Sequence, residues 1–67
     1  MPKTALTTDQ MTSLAEAHFA LAAHHRQLAQ EYATWDSRRA MLMRMAGDVD
    51  ALGMAWIELC HPVRIAA

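Results

Sequence analysis

A single cysteine, Cys60, excludes an intramolecular disulfide framework. Only two glycines and two prolines punctuate the chain, and the prolines, Pro2 and Pro62, stand near its ends. A β-rich fold needs many more turn signals, so the interior reads as helix. No apolar run approaches the ~20 residues that a membrane-spanning helix requires. The opening Met1-Pro2-Lys3-Thr4-Ala5-Leu6-Thr7-Thr8 lacks the apolar stretch of a secretory signal, so a cytoplasmic location is expected, and a single thiol agrees with it. Lysine occurs once and asparagine never, while alanine and arginine are favoured, as in proteins of GC-rich bacterial or phage genomes. An excess of positive charge is missing too. Six Lys and Arg against seven Asp and Glu leave −1, which argues against a protein built chiefly to grip phosphates, although the four histidines can reverse that sign in acid.

What is present is apolar: 54% of the 67 residues are hydrophobic and 19% charged, too greasy for a disordered tail. A chain of this length forms one domain, residues 1–67. It buries only about 60% of the surface of its unfolded form, so a lone copy is marginal without metal or a partner.

Heptad spacing organises the helical interior. Met11, Leu14, His18, Leu21, His25, Leu28, Tyr32 and Trp35 recur at alternating intervals of three and four, an a/d line. Leu42, Met45, Val49, Leu52, Trp56 and Leu59 form a second line with the same spacing but a different phase. A break near residues 34–37 accounts for the phase shift, since a new helix restarts its register. Gly47-Asp48 is the stronger local turn signal, yet the second line runs through Gly47 without losing phase. These observations predict an all-α, antiparallel two-helix hairpin: a helix over about 8–34, a turn near 34–37, a helix over about 36–60 and a short tail, 61–67. Thr7 with Gln10 reads as a capping box at the start, with Asp9 in the first turn, and Pro62 favours a stop near Cys60. The expected core seam is Leu14, His18, Leu21, His25, Leu28, Tyr32, Leu42, Met45, Val49, Leu52 and Leu59. Beside it, Ala15, Ala22 and Ala29, and then Ala46, Gly53 and Cys60, repeat every seven residues, small side chains that let antiparallel backbones approach closely.

Arg26-Gln27-Leu28-Ala29, followed by Asp36-Ser37-Arg38-Arg39-Ala40-Met41-Leu42-Met43-Arg44-Met45-Ala46-Gly47-Asp48-Val49-Asp50-Ala51-Leu52, resembles a pattern found in a type of small bacterial helical-hairpin protein. The resemblance covers about residues 24–56. Such relatives often carry a proline after the turn aspartate and a glutamate where Gly47 stands, and this chain has neither. The resemblance implies a hairpin turn near Asp36 and carries no activity with it.

Few residues suggest chemistry. His18 and His25 occupy a positions, where a metal or haem site across a bundle, or a pH-sensitive core that loosens below about pH 6, is conceivable. Seven residues of helix separate them by about 10.5 Å, too far to chelate one ion from one helix. With no Glu-x-x-His or His-x-x-x-His pair present, both read as structural or pH-modulating and no cofactor is expected. His24 flanks the seam as a solvated neighbour. Cys60-His61 lacks a visible oxyanion hole or orienting acid for nucleophilic catalysis, so no enzyme activity is expected. Met41, Met43 and Met45 alternate like copper-binding tracts, but a helix points them in different directions. Arg38, Arg39 and Arg44 cluster after the turn, where a dimeric hairpin can hold RNA, as the plasmid-copy-number regulator Rop does with the same architecture; nucleic acid is the weaker alternative here.

Phe19, Met43, Met54, Trp56 and Ile57 fall outside or beside the expected seam and suggest a second apolar face. The function expected on these grounds is that of a small non-enzymatic regulator. It would pair with itself into a homodimeric four-helix bundle and bind another protein as an antiactivator, inhibitor or adaptor, with no membrane partner.

Overall fold

Two helices carry the fold, α1 (Thr8–Ala29) and α2 (Ser37–Cys60). The structure is a computed structural model that describes residues 5–61; Pro62 and the rest of the expected tail lie outside the described residues. Among the described residues there is no strand, and α1 packs along α2 as an all-α helical hairpin.

The start of α1 follows from its first residues. Thr7 is the N-cap: its Oγ1 accepts from the Gln10 N–H at 3.1 Å, and Gln10 Oε1 accepts from the Thr7 N–H at 2.8 Å. Asp9 adds negative charge where the helix dipole is positive. The end comes earlier than expected, at Ala29 rather than near residue 34. The Glu31 and Tyr32 N–H groups donate to Leu28 and Ala29 carbonyls, each at 3.1 Å, which tightens the chain into a 3₁₀-type exit. No glycine or proline marks this stop. The Tyr32 carbonyl instead accepts from the Arg39 guanidinium at 3.1 Å, and the Arg38 guanidinium lies 4.6 Å above the Tyr32 ring. Side chains of α2 thus satisfy and cover the segment that would otherwise continue α1.

Asp36 is the N-cap of α2. Its carboxylate accepts from the Arg38 backbone N–H at 2.9 Å and from the Arg38 guanidinium at 2.7 and 3.1 Å. These bonds, the guanidinium first, hold the Asp36 carboxyl below the usual carboxylate range. A depressed folded pKa contributes stability above the unfolded value of 3.8, and that contribution is lost as pH falls through the folded pKa. Asp36→Asn keeps a capping oxygen and removes the charge. Its melting temperature should lie below that of the native chain at pH 7, and the two should converge as pH drops below 3.8. A gap that persists unchanged at pH 2 contradicts the assignment.

The helix runs through Gly47 without a break, and a Cβ placed there would meet nothing within 4 Å. Gly47→Ala should therefore stabilise the fold by about 1 kcal/mol, the helix-propensity difference, and raise the melting temperature by about 4–8 °C. Thermal unfolding followed by circular dichroism checks this, and an unchanged or lower midpoint contradicts it.

The interior is made of small residues. Ala15, Ala22, Ala29 and Ala46 have no exposed surface and Gly53 is also buried, while no larger side chain among the described residues is fully buried. Three contacts fix the register. Thr12 Oγ1 lies 3.8 Å from Cys60 Sγ, the Phe19 ring lies against Gly53, and Arg26 forms an ion pair with Asp50. Partner numbers fall along α2 as they rise along α1, so the helices are antiparallel. The seam is therefore Thr12, Ala15, Phe19, Ala22, Arg26 and Ala29 against Ala46, Asp50, Gly53, Ile57 and Cys60, again at three-four spacing.

This corrects the expected core seam. Leu21, Leu28, Met45, Leu52 and Leu59 are exposed, and Leu14, His18, His25, Tyr32, Leu42 and Val49 are only half-buried. The cause is the alanine and glycine stripe. Helix axes pack about 8–10 Å apart depending on the side chains between them, and small ones allow the nearest approach. Backbone and Cβ atoms then supply the dispersion contacts that large side chains would otherwise make.

Candidate functional site

Moving a three-four line to the next heptad letter turns it on the helix surface, because each residue advances about 100° around the axis. Since both helices meet through their b and e positions, their a and d lines are left flanking the seam. Antiparallel helices that touch through the same phase place the same flanking letters on the same side. The a and d lines of α1 and α2 therefore lie together, forming one continuous face of the hairpin.

That face is apolar, and its one charged member is Arg38, at the turn end, where it pairs with Asp36. Its a line holds His18, His25, Val49 and Trp56, half-buried beside the seam; its d line holds Leu21, Leu28, Met45, Leu52 and Leu59, which project from it. Leu52 is 54% exposed and Leu59 65% exposed, unusual values for leucines at heptad positions. Apart from Arg38, in the first turn of α2 at the end of its d line, neither line contains a Lys, Arg, Asp or Glu among the described residues. The opposite side, with Ser13, Glu16, Gln27, Gln30, Arg44 and Glu58, is the solvated one.

His18 and His25 are oriented alike. The Nδ1 of His18 lies 2.6 Å from the Leu14 carbonyl and that of His25 lies 2.8 Å from the Leu21 carbonyl. A carbonyl oxygen only accepts, so each Nδ1 donates to the carbonyl one turn before it. Among the described residues no three His, Cys, Asp or Glu side chains gather to hold a metal ion, and there is no pocket. Cys60 Sγ faces Thr12 and donates to the Ile57 carbonyl at 3.5 Å.

The second face expected from Phe19, Met43, Met54, Trp56 and Ile57 does not assemble, and this too is a correction. Phe19 and Ile57 belong to the seam between the helices, half-buried, with the Phe19 ring edge 2.6 Å from where a Gly53 Cβ would stand. Met43 and Met54 are exposed, but Met54 lies toward the solvated side. Of the five, Trp56 alone lies on the a/d face. Two of the three arginines are engaged within the chain: Arg38 binds Asp36 and covers Tyr32, and Arg39 donates to the Tyr32 carbonyl. Arg44 is exposed, on the side away from the a/d face.

Trp35, nominally the last member of the α1 line, stands on the turn with 86% of its surface exposed. Heptad counting placed it in the core because its interval was correct. The early end of α1 removes it.

No helix among the described residues is long and apolar enough to cross a membrane. The chain matches no known protein family, no curated protein and no solved structure.

Proposed function

We propose that this chain is a small non-enzymatic regulatory protein that modulates or inhibits a partner protein by laying its a/d face against an apolar helical surface of that partner. The observation that carries the reading is the continuous apolar face shared by α1 and α2, free of charge beyond Arg38 at its turn end, with leucines of the d line about half exposed. Exposed contiguous apolar surface beyond a few hundred Å² marks association sites in small proteins. Trp56 supplies a large anchor on the a line, and leucines at three-four spacing supply the ridge that a groove or another helix pair accepts. Antiactivation, inhibition and adaptor function all use the same physical act, occupation of a surface. A cytoplasmic place of action is part of the proposal.

A photoreactive residue at position 52 should trap a foreign polypeptide in cells, and one at position 20, on the solvated side, should not. The trapped protein, purified, should bind the native chain and lose at least about tenfold in affinity for Leu52→Glu, the cost of burying one charge in an apolar contact. Trapping only from position 20, or affinity indifferent to Leu52→Glu, overturns the reading.

A further inference from the structure

We infer that in the absence of that partner the a/d face is covered by a second copy of this chain, closing a four-helix bundle. The inference rests on the reading of the a/d face as the docking surface and names its resident occupant. Three observations favour a second copy over other occupants.

The first is area. A 24-residue helix is about 36 Å long and two helices are about 20 Å wide, so the face offers roughly 700 Å². A stable interface takes about 800 Å² from each partner, so the face is the size of a whole interface and larger than a peptide needs.

The second is self-complementarity. From Leu14 to Leu28 and from Met45 to Leu59 both helices present leucine or methionine at d on the same seven-residue repeat, so a two-fold copy meets knobs with holes of equal spacing. Between Met45 and Leu59 on α2 and along all of α1 the face bears no Lys, Arg, Asp or Glu to oppose a like charge on its copy, and Arg38, at the turn end, is paired with Asp36. An occupant chosen for charge would need complementary charges here.

The third is need. One chain fully buries nothing larger than alanine among its described residues. Its fold therefore lacks a large-side-chain core until something supplies one, and a second copy is available wherever the chain is made. Stacked a/d faces would turn Leu21, Leu28, Leu52 and Trp56 into that core. Partner binding would then require the dimer to open, so the two associations compete by mass action.

Sedimentation equilibrium of the native chain at about 100 μM should give twice the chain mass. Leu21→Glu combined with Leu52→Glu should raise the dimer dissociation constant at least about 100-fold, while Ala20→Glu with Ala51→Glu, on the solvated side, should leave the mass unchanged. Because the first variant is at risk of unfolding, the native protein also needs direct mapping. In a mixture of isotope-labelled and unlabelled chains, filtered NMR should show contacts between copies from the Leu21, Leu28 and Leu52 methyls. A folded monomer at 100 μM overturns self-pairing and leaves the docking face to be judged by the partner experiment. A dimer whose contacts between copies arise from Ala20, Ala51 or Met54 overturns self-pairing through this face. Loss of partner binding in Leu52→Glu would still support the docking reading in either case.

Discussion

Replacing Ala22 with leucine should pry the hairpin apart. Ala22 has no exposed surface and sits midway along the stripe where α1 meets α2. Three added carbon atoms there would press on the opposing helix between Gly53, which Phe19 meets, and Asp50, which Arg26 meets. Overpacking a core costs about 1–3 kcal/mol, and Ala22, with no exposed surface, falls in that range. The neighbouring Ala23→Leu is the control, since Ala23 is exposed on the solvated side and its replacement should stay within about 0.5 kcal/mol of the native chain. Urea unfolding of both variants, read by helicity, measures the difference. Equal tolerance at the two positions contradicts the small-residue seam.

Phe19→Ala should be the most damaging truncation on α1. Complete loss of a buried phenylalanine costs about 3–5 kcal/mol; Phe19 is half-buried, so about 2–3 kcal/mol is expected. The effect should also couple to Gly53. A Cβ at Gly53 would stand 2.6 Å from the Phe19 ring, so Gly53→Ala in the native chain must displace the ring to gain its helix propensity. In the Phe19→Ala background the obstruction is gone, and Gly53→Ala should recover about 1 kcal/mol. A double-mutant cycle over these two positions should therefore be non-additive by more than about 0.5 kcal/mol. Additive behaviour would place the ring elsewhere.

Much of the fold was legible from local signals with a single physical solution. The Thr7 and Gln10 capping box, the turn at Asp36 and the stop at Cys60 fall where residue chemistry puts them. The uninterrupted helix through Gly47 followed from phase alone. The rotation of the seam was harder to read, because the a/d line and the alanine stripe share the same seven-residue period. Periodicity cannot choose between them. Hydrophobicity favours Leu21 and Leu52 as the core, whereas closest approach favours Ala22 and Gly53, and in a two-helix pair the second consideration prevails. The same ambiguity hid the candidate site. Residues assigned to the interior, such as Leu52 and Leu59, form the exposed face, and Phe19 and Ile57, assigned outward, lie between the helices. The end of α1 was illegible for another reason: Arg39 caps Tyr32 from across the turn, and such a contact leaves no local trace.

The rotation of the seam is tested most directly by a disulfide. Thr12 Oγ1 lies 3.8 Å from the Sγ of Cys60, so Thr12→Cys in the otherwise native chain places two thiols across the seam. Bridging tolerates little error in position or direction. Mild oxidation in dilute solution should close Thr12→Cys to Cys60 within one chain, with helicity retained, while Met11→Cys and Leu14→Cys on the a/d line stay reduced. Ready closure of Leu14→Cys with Cys60, and none of Thr12→Cys, would return the leucines to the space between the helices and remove the exposed face.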